Sequence, residues 1–141
     1  QAMQVSCHSF LEMAHHAEPL MRPGGALITM SYYGADKVVS NYNLMGPVKA
    51  ALESSVRYMA KELGEKDIRV FAVSPGPLRT RAASGIDHFD ELVDMAVTRS
   101  PGRRLVDIAE VGRVVAFLVG GAASGMTGDV IYVDAGLHHV A

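Results

Sequence analysis

Apolar and small side chains recur at Met3, Cys7, Phe10, Leu11, Ala14, Ala17 and Met21, the three-and-four spacing of one buried helix face. The pattern predicts a helix over Met3–Met21, stopped by Arg22-Pro23-Gly24-Gly25. No capping residue precedes it, as in a chain cut inside a helix. Ala26–Met30 is a short apolar run that suits a strand buried on both faces. Ser31–Asn41 has no clear period. Tyr42–Leu63 reads as a long helix closed by Gly64, with Ala50, Ala51, Ser54 and Ser55 allowing a close neighbour. Ile68–Ser74 is the next strand, ended by Pro75-Gly76-Pro77. Arg81–Ser100 predicts one or two short helices, the better one over Phe89–Thr98. Asp107 and Glu110 have capping-box spacing at the head of a helix through Val119. Gly120–Gly128 is a glycine-rich loop, and Val130–Val133 is the last strand.

Strands alternating with long helices predict an α/β fold, with a parallel sheet and helices on both of its faces. Three strands leave open edges. Half of a doubly wound domain fits this order better than a complete one.

Composition changes little. The chain has 141 residues, 49% of them apolar and 20% charged, as in a globular domain. A net charge of −2 without a basic run argues against a nucleic-acid surface. The longest apolar run, Val114–Val119, is far short of a membrane span. Cys7 has no second cysteine to pair with, and no signal-peptide pattern opens the chain. A cytoplasmic protein is expected. The paired histidines His15-His16 and His138-His139 have no metal-ligand spacing around them, so no metal is expected.

The chemistry concentrates in Ser31–Lys49. Tyr42 and Lys49 are seven residues apart, which on a helix puts them on one face, about 10 Å apart along the axis. An ammonium so placed can lower the phenol's pKa or hold a polyhydroxy ligand beside it. A phenol near a positive charge is a good donor to a developing oxyanion. Spacing alone favours the plainer reading, a tyrosine that caps the core and a lysine in solvent.

Three stretches carry more: SYYGADKVVSNYNLMGPVKAALE (Ser31–Glu53), RVFAVSPGPLRTRAASGI (Arg69–Ile86) and GDVIYVDAG (Gly128–Gly136). Together, Tyr-x6-Lys, the earlier Tyr32 and the Ser-Pro-Gly-Pro-Leu-Arg-Thr turn resemble the enoyl-[acyl-carrier-protein] reductases of the short-chain dehydrogenase/reductase superfamily. Ordinary members of the superfamily carry Tyr-x3-Lys, and here that lysine position is Gly46.

The resemblance implies a Rossmann-type, doubly wound sheet whose N-terminal half is missing from this chain, with 81–100 as a substrate-binding segment. It implies reduction of trans-2-enoyl thioesters of acyl-carrier protein by hydride from NADH or NADPH, in fatty acid biosynthesis. Tyr32, Tyr42 and Lys49 would be catalytic. Tyr42 would donate to the thioester enolate, and Lys49 would hold the nicotinamide ribose. Ser31, Lys49, Gly76, Pro77, Leu78 and Thr80 would bind cofactor. Tyr32, Tyr42, Met45, Ala82, Phe89 and Leu92 would bind substrate. Helices Met3–Met21 and Tyr42–Leu63 match the pair used for subunit packing, which implies a homo-oligomer, a tetramer.

Two features depart from the family. Asp87, Asp90 and Glu91 stand where basic residues attract the acidic carrier protein, though Arg99, Arg103 and Arg104 lie nearby. The dinucleotide fingerprint is absent, because Gly120–Gly128 follows a helix and precedes a strand, the reverse of a phosphate-binding turn. Two other readings stay open: a short-chain dehydrogenase acting on a ketone or alcohol, and an inactive fragment that serves as an oligomerisation partner.

Overall fold

A computed structural model of the chain describes residues 1–80 and 88–141. Its centre is a parallel sheet of β1 (Ala26–Met30), β2 (Arg69–Pro75) and β3 (Val130–Val133), in that order. β1 pairs with β2 from Ala26 opposite Arg69 to Met30 opposite Val73, and β2 pairs with β3 from Ala72 opposite Val130 to Pro75 opposite Val133. Every residue of β2 is buried, as the central strand requires.

Helices cover both faces, as the alternating pattern predicts. On one face, α1 (Ser9–Ala17) and α2 (Met45–Leu63) bury Phe10, Ala14, Val48, Leu52 and Val56 against Leu27, Val70 and Ala72. On the other, α4 (Ile108–Val119) packs Val111 and Leu118 against Phe71 and Val73. Phe71 and Val73 alternate with Val70 and Ala72, so β2 supplies both cores through its pleat. A further helix, α3 (Phe89–Arg99), buries Val93 and Ala96.

Several elements differ from expectation, among them β2, which lies one residue later than Ile68–Ser74 at each end, and α3, which runs one residue past Thr98. The predicted Met3–Met21 helix is a π-turn at Gln4–His8, then α1, then a 3₁₀ turn at Glu18–Leu20. Pro19 lacks the N–H that would continue the ladder there. The long helix begins at Met45 rather than Tyr42. Asn41 and Asn43 take left-handed φ of 62° and 47°, which asparagine tolerates and a helix does not. The nominally irregular stretch after β1 also holds a 3₁₀ turn, Tyr33–Ala35.

The capping box of α4 forms as its spacing predicts. Glu110 N–H donates to Asp107 Oδ1 at 2.7 Å, and Asp107 N–H donates to Glu110 Oε2 at 2.9 Å. Arg104 donates to both Glu110 oxygens at 2.8 and 2.6 Å. These bonds hold the Glu110 carboxyl down at about 2, with the Arg104 hydrogen bond as the largest cause. A depressed carboxyl stabilises the fold above its unfolded pKa, and that contribution is lost as pH falls toward 2. Replacing Asp107 with alanine is expected to cost about 1 kcal/mol in urea unfolding at neutral pH.

Candidate functional site at the carboxyl ends of the strands

In a doubly wound sheet, ligands bind beyond the carboxyl ends of the strands. β1 ends at Met30, and the next residues are Ser31, Tyr32 and Tyr33. Tyr32 is extended, with φ −155° and ψ 146°. Its ring lies 4.6 Å from that of Tyr33 and 5.0 Å, edge-on, from that of Tyr42. The Tyr32 hydroxyl is buried, beside that of Tyr33, in no well-formed hydrogen bond. Burial is the main cause that raises its pKa.

Tyr42 is set by its turn rather than by a helix. Its N–H bonds Val39 O at 3.2 Å, and its carbonyl accepts from Met45 N–H at 3.0 Å. Gly34 makes room for it, since a Cβ there would lie 2.6 Å from the Tyr42 ring. Gly46 fits in the same way, because its Cβ would stand 3.0 Å from the Gly34 carbonyl oxygen. The glycine that breaks the Tyr-x3-Lys pattern therefore lets α2 approach the turn after β1.

Lys49, on the first turns of α2, donates from Nζ to Met30 O at 2.8 Å. Burial lowers its pKa, and the charge of Glu53 offsets part of this. The expected lowering of the Tyr42 phenol by Lys49 is not found. The Tyr42 pKa is pushed up to about 12, first by burial and then by the negative charge of Glu53. The reason is geometric: Tyr42 precedes the helix, and the ammonium is engaged at the end of β1. At neutral pH the phenol is therefore a hydrogen-bond donor.

The turn after β2 lies alongside. Gly76 and Pro77 are buried, while Leu78 and Thr80 are half-buried. Gly76 N–H bonds Val133 O at 3.0 Å. A Cβ on Gly76 would come within 3.2 Å of Asp134, so glycine lets these chain segments meet without either being pushed aside. Ser74 Oγ is buried without a hydrogen-bond partner.

The other expected contacts divide. Leu92 lines a cavity of about 280 Å³ with Tyr33, Val39, Met95 and Arg99. Tyr42 lines a separate one of about 420 Å³ with Gly34, Asn43 and Gly46, and Val38 and Val39 border both. Phe89 opens α3 half-buried and lines neither cavity. Met45 is half-buried, packs against the core that α1 and α2 share, and donates its N–H to Tyr42 O at 3.0 Å. Ala82 lies outside the described residues, as does Asp87. Of the nearby arginines, Arg103 donates to Thr98 O and Arg104 is held by Glu110, while Arg79 faces Asp90 at 3.5 Å.

Gly34, Tyr33 and Glu53 were not singled out from the sequence. Glu53 had a readable signal: it stands four residues after Lys49, on the same face of α2.

The residues at this end of the sheet fit the nicotinamide half of a dinucleotide. They offer a cation, two aromatic rings, a buried hydroxyl without a partner, and a turn in which glycine permits close approach. Among the described residues no strand-to-helix glycine turn is present for the phosphates, no helix is long and apolar enough to cross a membrane, and no three His, Cys, Asp or Glu side chains form a metal site.

Comparison with known proteins points the same way. Residues 1–138 match the family described as enoyl-(acyl carrier protein) reductase. The enoyl-[acyl-carrier-protein] reductase [NADH] FabI of Enterococcus faecalis is 43% identical over 137 residues, covering 97% of this chain and 55% of that protein. The enoyl-[acyl-carrier-protein] reductase [NADH] 1 of Rhizobium meliloti is 46% identical over 140 residues, covering 99% of this chain and 52% of that protein. Among solved structures, the Bacillus cereus enoyl-acyl carrier protein reductase with NADP+ and an indole naphthyridinone superposes with a TM-score of 0.95 at 41% identity, over 99% of this chain and 54% of that one. The Anaplasma phagocytophilum enzyme in complex with NAD gives 0.92 at 48% identity, over 98% of this chain and 53% of that one. The chain thus spans about half the length of the relatives it matches. With its parallel sheet, its tyrosine pair and its lysine in the arrangement described, this chain belongs to the enoyl-(acyl carrier protein) reductase family.

Proposed function

We propose that the protein carrying this chain reduces trans-2-enoyl thioesters of acyl-carrier protein with NADH or NADPH, in fatty acid biosynthesis. The observation that carries this reading is the juxtaposition at the end of β1. Tyr32, with its buried hydroxyl beside that of Tyr33, packs edge-on to Tyr42, and Lys49 bonds the last carbonyl of the strand. When bound, the nicotinamide cofactor supplies hydride to the β-carbon of the thioester.

This chain's residues do the rest. Tyr42, protonated at neutral pH, donates to the thioester oxygen as negative charge develops there. Lys49 holds the ribose hydroxyls, and Tyr32 lines the pocket beside the reacting carbonyl. Ser31, Gly76, Pro77, Leu78 and Thr80 form the bed of the nicotinamide end. Leu92, with Phe89, Met45 and Ala82, belongs to the acyl-binding side within segment 81–100 and its neighbours. NADH, the cofactor in the names of the E. faecalis and R. meliloti relatives, is the preferred donor.

We also infer a cytoplasmic homotetramer. Tyr58 on α2 is 72% exposed and Met13 on α1 is 57% exposed, and both belong to the helix pair that the family resemblance assigns to subunit packing. Sedimentation of the whole protein tests the assembly. Crotonyl thioester with NADH or NADPH tests the reaction, with loss of nicotinamide absorbance as the expected result. Activity on keto substrates alone would overturn it.

A further inference from the structure

We propose that Glu53 is a positioning residue of this site: its buried carboxylate, bound to Ser31 Oγ, fixes the end of β1 and supplies the counter-charge to the Lys49 ammonium. This inference rests on the role proposed for Lys49. Glu53 is 8% exposed on the face of α2 that meets the sheet. Ser31 Oγ donates to Glu53 Oε1 at 2.5 Å. Ser31 N–H donates to Val73 O at 2.7 Å, so this residue continues the β1–β2 ladder. The preceding residue, Met30, accepts the Lys49 ammonium, and the following one is Tyr32. One carboxylate thus ties α2 to the backbone segment that carries Ser31 and Tyr32 and accepts the Lys49 ammonium.

A carboxylate is an odd choice for a merely structural tie. Burying a charge costs free energy, and a neutral acceptor would bond the serine equally well. The charge has an electrostatic task here. Burial pulls the Lys49 ammonium toward neutrality, and the Glu53 charge is the largest opposing influence. Cys7, on the π-turn before α1, adds to it. Glu53 itself is pushed up by burial and held down by Ser31, by Arg57 one turn later, and by Lys49, while Asp36 after the 3₁₀ turn raises it. Its charge also reaches Tyr42 and Tyr132, raising both phenols. The Glu53 charge therefore opposes the loss of the Lys49 proton and, added to burial, the loss of the Tyr42 and Tyr132 protons, favouring the states that ribose binding and oxyanion donation need.

Glu53→Gln keeps the acceptor for Ser31 and removes only the charge. In the whole protein, a lysine ¹³Cε NMR titration should show the Lys49 midpoint falling to lower pH than in wild type. Between the two midpoints, NADH should bind the variant about tenfold more weakly. An unchanged Lys49 midpoint overturns the inference. If Glu53→Gln does not fold, the wild-type titration decides: Lys49 must show a second, smaller step at the Glu53 carboxyl midpoint, and its absence is equally fatal. If the Lys49 midpoint moves as expected but the wild type binds neither NADH nor NADPH, the proposed function fails and the assignment of Glu53 stands.

Discussion

Tyr42→Phe in the whole protein is expected to lower kcat on an enoyl thioester by about 10²- to 10³-fold, the usual effect of removing one oxyanion donor. The NADH dissociation constant should change by less than about twofold, because the lost hydroxyl faces the thioester rather than the ribose. The ring itself should stay in place. It rests on Tyr32 at 5.0 Å and fills the space that Gly34 leaves open, and phenylalanine keeps both contacts. The loss should therefore be chemical and not structural. Stopped-flow turnover beside fluorescence titration of NADH separates the two, and a variant that loses affinity and turnover together would count against this assignment of Tyr42.

Arg69→Leu is expected to have the largest effect on stability, about 3–5 kcal/mol, since at least two buried carbonyls lose their donor. Arg69 opens β2 and is 6% exposed. Its guanidinium donates to Leu118 O at 2.6 Å and Ala123 O at 3.0 Å, and to the carbonyls of Gly24, Val119 and Gly120 at 3.3, 3.3 and 3.5 Å. Three of these are the last carbonyls of α4 and its cap, which have no partner within the helix. A positive charge there also meets the negative end of the helix dipole. Leucine would leave several buried acceptors unpaired at once. Arg69→Lys should recover less than half of the loss, because an ammonium lacks the planar fork. Urea unfolding measures both, and a loss below about 1 kcal/mol for Arg69→Leu would show that water replaces the fork.

The local signals were strong where one residue type has one use. Asp107 and Glu110 cap α4 as their spacing required, and Ala26–Met30 is a strand to the residue. The Tyr-x6-Lys spacing was also legible, but its geometric meaning was not. Two asparagines with left-handed backbone, Asn41 and Asn43, keep the helix from starting until after Tyr42, and no periodicity reports backbone sign.

By itself the sequence determined the order of strands and helices, the parallel sheet they imply, the tyrosine–lysine motif and the family it resembles. These follow from side-chain periodicity and from residue types that few backbones tolerate. The tertiary structure decided which side chains meet. Only folding brings Ser31 to Glu53 across 22 positions and Arg69 to Leu118 across 49. Such pairs carry no local period, and burial makes them count by removing the water that would otherwise satisfy each partner alone.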